Sequence, residues 1–220
     1  MKILHVHSLH LHEPWMRTVA AWASSVDAIT IAGNCLPVVS HRRRDDDEND
    51  LRRWFASLDA EVYFSRGPHD AADMADWGFD HIHLNGTFNQ KGWAIHVMDT
   101  YSIELRLPKA SPLPGIVVSH FGPLGSGCAI DTPSGENSGR GDIRMMIEHL
   151  GDVRLVLCGR VNQPRVRMDW AEGAVVVCPG ISRQEHGSEP AFLRADLDAR
   201  SLQFWDGNRL SAGSFTRGCG

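Results

Sequence analysis

Five short segments of the chain carry the side chains best suited to chemistry, and each follows an apolar run. They are HSLH (7–10), GN (33–34), GPHD (67–70), SH (119–120) and GRVN (159–162). Together they offer Ser8, His10, Asn34, His69, Asp70, His120, Arg160 and Asn162. Histidine exchanges protons near neutral pH and ligates metals through a neutral ring nitrogen. Arginine pairs with phosphate oxygens in a two-pronged way. Serine becomes a nucleophile when a base lies beside it. The first segment lies in HVHSLHLH (5–12), four histidines in eight positions. That density suggests a metal site, but the stretch holds no carboxylate. His5 and His7 alternate along a strand and read as structural residues, His10 as facing the shared edge, and His12 as near the surface.

The elements that position these segments are short and alternate. KILHVH (2–7), AITIAGN (28–34), EVYFSRG (61–67), GIVVSH (115–120), VRLVLCG (153–159) and GAVVVCPG (173–180) read as buried strands. Trp15, Val19, Trp22 and Ala23 fall on one helical face, with Pro14 at the helix start. Leu51, Trp54, Phe55 and Leu58 define a second helix, whose acidic lead-in DDDEND (45–50) suits the positive end of its dipole. Ile143, Met146, Ile147 and Leu150 define a third. HIHLNG (81–86) and WAIHVMDTYSIELR (93–106) read as strands of more antiparallel character, and 191–198 with 201–207 as a closing hairpin. The polar, glycine-rich stretch from Gly122 to Gly141 reads as a long loop rimming a pocket. If the buried strands are mainly parallel, the five segments gather at their carboxyl ends, where open α/β sheets bind ligands.

Bulk properties narrow the classes. The 220 residues, 42% hydrophobic, suit one domain over 1–220 with a substantial core. A formal charge of −5 gives no support to nucleic-acid binding. Five widely spaced cysteines, with no Cys-x-x-Cys pair, suit buried thiols in a reducing compartment. No leader pattern and no run of membrane-spanning length is seen, so the expectation is a cytoplasmic protein without a membrane partner.

The order and spacing of the segments resemble the calcineurin-like metallophosphoesterases, whose motifs run Asp-x-His, Gly-Asp, Gly-Asn-His-Asp/Glu, a lone His, and Gly-His-x-His. The resemblance covers most of the chain: MKILHVHSLH, ITIAGN, VYFSRGPHD, VSHFGPLGS, TPSGEN, LVLCGRVNQP and the late VVVCPG. It implies an α/β sandwich of two mixed sheets flanked by helices (α/β/β/α). Residue by residue, it places Ser8 at the first aspartate, His10 at its partner histidine, and Asn34 at the bridging aspartate. Pro68 takes the place of the asparagine ligand, His120 that of the lone histidine, and Arg160 and Asn162 those of the final histidine pair. Two of seven ligands, His10 and His120, survive this matching, as does the general acid, His69 followed by Asp70. The carboxylate missing from HVHSLHLH belongs at Ser8.

These substitutions remove the negative charge that offsets repulsion between two close divalent ions. Arg160 adds a permanent cation without a lone pair. The reading is therefore a catalytically inactive phosphoesterase-fold protein without a metal. It would act through a protein partner or by binding a phosphate-containing small molecule at Ser8, His10, Asn34, Asp70, His120, Arg160 and Asn162. Such a site would be a positive cluster of Arg160 with the three histidines, unless Arg160 plugs it by pairing with Asp70 or another carboxylate. The alternative is an active phosphoesterase with His69 as acid and a single-metal site (Mn, Zn or Fe). Its ligands would be His10 and His120, helped by His69, His81 or His83. A third reading is a metal-independent hydrolase with Ser8 or His69 as nucleophile and His10 as the base for Ser8.

Overall fold

A computed structural model describes residues 1–37, 44–99, 111–180, 191–205 and 210–214. Two sheets face each other. In the first, strands β1 (Lys2–Val6), β2 (Ala28–Ala32), β3 (Glu61–Ser65) and β4 (Ile82–His83) run parallel. The antiparallel strands β11 (Phe192–Asp196), β12 (Ser201–Trp205) and β13 (Leu210–Ser214) extend that sheet beyond β1. In the second, β6 (Trp93–Met98), β7 (Gly115–Ser119), β8 (Val153–Cys158) and β10 (Ala174–Val177) are parallel. Its antiparallel edges are β5 (Gly86–Gln90) and β9 (Met168–Ala171).

Strand alternation divides the apolar residues into three layers of contact. Ile3, Tyr63, Ile95, Val97, Ile116, Val118, Leu155, Leu157, Val175 and Val177 meet between the sheets. Leu4, Val6, Ile29, Ile31, Val62 and Phe64 point outward. Helices α1 (Glu13–Ala23) and α2 (Arg44–Ala56) cover them with Trp15, Val19, Leu51, Trp54 and Phe55. On the far side α3 (Gly141–Leu150) lays Ile143, Met146, Ile147 and Leu150 over Val117, Val156 and Val176. The layers are therefore helix, sheet, sheet, helix, as the family resemblance implies. All seven tryptophans pack against these cores, so none marks an exposed aromatic patch.

Some expectations need correction. β4 pairs parallel with β3, and β6 parallel with β7, so only the β5–β6 hairpin has the antiparallel character expected of this stretch. Residues 100–106 of that stretch lie outside the described residues. β5, β9 and β13 were not legible: GTFNQ, MDWA and LSAGS are short and polar or small, as edge strands are. Cys35, Cys128, Cys158 and Cys178 are buried free thiols, while Cys219 lies outside the described residues. No described helix is long and apolar enough to cross a membrane.

Candidate functional site at the carboxyl rim

The carboxyl ends of β1, β2, β3, β7 and β8 converge, and specific bonds tie the two sheets together there. The His120 backbone N–H donates to Ser65 Oγ at 2.8 Å, and that hydroxyl in turn donates to the carbonyl of Met98. Gly33 and Gly159 permit the approach. A Cβ on Gly33, which sits at φ 70°, would lie 2.1 Å from His120 Nδ1. A Cβ on Gly159 would lie 2.5 Å from the carbonyl oxygen of Ala32 and 2.7 Å from the His7 Cβ. Larger residues at either position would push the sheets apart just where the five segments meet.

The rim is built on strained backbone. Among the described residues, eight non-glycine residues have positive φ. Five lie on the rim: Ser8 (53°), His10 (48°), Leu11 (54°), Asn34 (47°) and Arg160 (70°). The other three, Lys91, Glu172 and Arg200, sit between the strands of hairpins. Each left-handed residue costs on the order of 1 kcal/mol, and such residues concentrate at functional sites. Backbone bonds enforce the shape: Ser8 N–H donates to the Gly33 carbonyl at 2.7 Å, and His10 N–H to the Asn34 carbonyl at 3.0 Å.

The two histidines at the matched ligand positions are held alike. His120 Nδ1–H donates to the Ala32 carbonyl at 3.1 Å, and His10 Nδ1–H to the Leu36 carbonyl at 3.1 Å. Each bond fixes the tautomer and leaves Nε2 with a lone pair. His120 is 0% exposed, and its Nε2 has no partner among the described residues. Burial lowers its pKa to about 4, and burial lowers that of His10 as well. Both rings are therefore neutral at pH 7. Of the positive cluster expected from the sequence, His10 and His120 are neutral and Arg160 carries a permanent charge.

Arg160 does not plug the site. Its exposed guanidinium forms no hydrogen bond or ion pair among the described residues. Asp70 is engaged elsewhere: its carboxylate accepts the backbone N–H groups of Cys35 (2.7 Å), Leu36 (3.1 Å) and Gly67 (2.8 Å). It clasps the loop after β2 to the loop after β3. Burial raises its pKa to about 6, against the pull of those N–H donors. Asn34 Oδ1 accepts the His69 N–H at 3.4 Å, and its NH2 has no partner among the described residues. The side chains of His69 and Asn162 also make no hydrogen bond to described residues. Arg160 and Asn162 line a cleft of about 190 Å³ with Val161 and with Asp131, Glu136 and Ser138. The last three belong to the Gly122–Gly141 loop, which does border the site.

The remaining histidines separate clearly. His5 is structural: it bonds Thr30 Oγ1 at 2.9 Å and the Cys158 carbonyl at 3.0 Å between the sheets. His81 bonds the Phe55 carbonyl at 3.2 Å, and His83 bonds Glu61 at 2.7 Å while stacking on Tyr63. Neither joins His10 and His120. The ring of His12 packs on Trp15 at 4.6 Å and is only partly exposed. His7 is the residue that sequence reasoning missed. Its Nδ1 lies 3.0 Å from Ser8 Oγ, and its Nε2 lies 3.9 Å from Cys178 Sγ. His10, expected as the partner of Ser8, is held by Leu36 instead. The signal was available in the strand period. Positions 3, 5 and 7 share the inter-sheet face, which directs His7 toward the ends of β8 and β10.

The residues present do not fit a two-metal centre. Among the described residues, no three His, Cys, Asp or Glu side chains are grouped to hold a metal ion. The matched positions supply the imidazole lone pairs of His10 and His120 and the guanidinium of Arg160 but no carboxylate, whereas a dinuclear site needs a bridging anion.

Solved structures share this architecture. The chain superposes on a protein of Thermus thermophilus with a TM-score of 0.59 at 14% identity, over 98% of this chain and 99% of that one. It superposes on an archaeal phosphodiesterase with a TM-score of 0.56 at 14% identity, over 94% and 99%. A purple acid phosphatase from yellow lupin seeds gives a TM-score of 0.58 at 8% identity, over 97% of this chain and 52% of that one. The fold is that of the calcineurin-like phosphoesterases. No family model and no curated protein matches the sequence.

Proposed function

We propose that this phosphoesterase-fold protein binds a phosphate-containing small molecule at the carboxyl rim without a metal pair. The observation that carries this reading is the convergence there of polar side chains without partners on strained backbone. The Arg160 guanidinium, the Asn34 NH2, the Asn162 amide, the His69 ring and the buried His120 Nε2 are all unused among the described residues. A phosphate would take Arg160 as its charged partner and the amides as neutral donors. The two neutral imidazoles accept a hydrogen bond from a protonated phosphate oxygen, so the monoanion fits the site better than the dianion. The two-metal route of phosphate ester hydrolysis has no ligand set here, and we infer that the protein does not use it.

Calorimetric titration of inorganic phosphate into chelator-treated protein tests this reading. Binding is expected without metal, stronger at pH 6 than at pH 8. It should weaken on the order of tenfold to a hundredfold in Arg160→Gln, the usual worth of a charge-assisted bond. Binding that appears only after metal is restored would overturn it. One observation favours a second reading, a single-metal phosphoesterase: the lone pairs of His10 and His120 are both oriented by backbone carbonyls. That reading predicts a phosphate affinity that vanishes on chelation.

A further inference from the structure

The contacts of His7 point to an activity that phosphate binding alone does not use. We propose that Ser8 is the nucleophile of a metal-independent phosphoryl transfer from a phosphate monoester, with His7 as its general base and Cys178 positioning His7. The inference rests on the phosphate-binding reading of the same rim. Ser8 lies two residues beyond the end of β1 in a left-handed conformation, pinned by its N–H bond to the Gly33 carbonyl and only 2% exposed. His7 Nδ1 stands 3.0 Å from Ser8 Oγ. Its Nε2–H has the Cys178 sulfur, a weak acceptor, 3.9 Å away. With the ring proton on Nε2, the Nδ1 lone pair faces the hydroxyl, and the Cys178 thiol can itself donate to the Gly159 and Val161 carbonyls at 3.6 Å. Gly159 makes the arrangement possible, because any side chain there would strike the His7 Cβ.

The transfer balances with residues of the rim. Ser8 Oγ bonds to phosphorus while the bond from phosphorus to the ester oxygen breaks. The hydroxyl proton passes to His7 Nδ1, and His69, acting as general acid, gives a proton to the departing alcohol. Water then bonds to phosphorus, the phosphorus–Oγ bond breaks, His69 takes a proton from the water, and His7 returns its proton to Oγ. Arg160 holds the non-transferring phosphoryl oxygens. The cleft that Arg160 lines, about 190 Å³ with Asp131, Glu136, Ser138 and Asn162 in its wall, suits a small polyhydroxylic alcohol as the leaving group.

The test is to incubate the full chain with p-nitrophenyl phosphate in excess chelator, quench, and map phosphoryl adducts by peptide mass spectrometry. The expected result is a phosphoryl group on Ser8, absent in Ser8→Ala and formed at least about a hundredfold more slowly in His7→Gln, the usual contribution of a general base. Cys178→Ala should shift the pH profile of adduct formation, and Cys178→Ser should restore it; a purely structural thiol would alter neither. Inorganic phosphate titration on the same wild-type sample separates the two claims. Normal phosphate binding with no adduct on Ser8, or an adduct on another residue, overturns this proposal and leaves the binding reading standing. Loss of both phosphate binding and adduct overturns both. Turnover that requires added metal also overturns the proposal.

Discussion

Acidification should destabilise this protein through histidines buried as neutral rings, and the size of the effect follows from three groups. His5 and His120 are held neutral between the sheets, each with a pKa lowered from 6.5 to about 4 by burial. The unfolded chain takes up these protons first as the pH falls. The stability tied to each ring is complete above pH 6.5 and is lost as the pH falls toward 4. At about 1.4 kcal/mol per pH unit, each histidine accounts for roughly 3 kcal/mol. Asp70 acts in the opposite direction. Its pKa is raised from 3.8 to about 6, so its contribution is complete below 3.8 and is lost as the pH rises through 6. Acidification therefore recovers roughly 3 kcal/mol from Asp70. From these three groups, urea unfolding should give a free energy roughly 3 kcal/mol lower at pH 4 than at pH 7. His120→Gln should flatten the curve between pH 6.5 and 4, and Asp70→Asn should steepen it between pH 6 and 4. A wild-type curve that is flat across this range, or a His120→Gln curve of unchanged slope, would refute the neutral-histidine account.

Three further outcomes follow from the packing. Gly159→Ala should cost about 2–4 kcal/mol in chemical denaturation, because the added methyl meets Ala32 and His7 across the sheet interface. Arg66 forms a buried two-pronged ion pair with Asp99 and also donates to the Ala71 carbonyl at 3.2 Å. Arg66→Met alone should cost about 3–5 kcal/mol, and Arg66→Met with Asp99→Leu should recover most of that loss, as measured by thermal and urea midpoints. Arg160→Gln should leave stability within about 0.5 kcal/mol of wild type, since the guanidinium is exposed and bonds no described residue, so any loss of phosphate affinity reports the site itself.

The sequence makes the scaffold legible wherever burial imposes a period. The parallel strands announce themselves as runs of Val, Ile and Leu, and α1 and α3 by apolar faces at helical spacing. Edge strands such as β5 and β9 escape, because an edge faces water on one side and tolerates polar residues. The rim was legible as a place: parallel strands deliver their following loops to one side. The partners of the side chains were not. Arg160 and Asp70 look like an ion pair on paper, yet Asp70 is consumed by backbone N–H groups that only the folded loops after β2 and β3 bring to it. Likewise the charge of His10 and His120 is decided by burial and by carbonyls 26 and 88 residues away along the chain, which no spacing rule reports. His7 reads as structural in the sequence because it alternates with His5 along a strand, although its ring meets the Ser8 hydroxyl.

The most direct test of the central claim is the metal content of the protein by elemental analysis, after incubation with excess manganese or zinc and removal of unbound ions. The account predicts negligible metal, together with phosphate binding that survives chelation. Close to two equivalents of metal per chain, lost on mutating His10 or His120, would contradict it and restore a metal-dependent phosphoesterase with an unfamiliar ligand set.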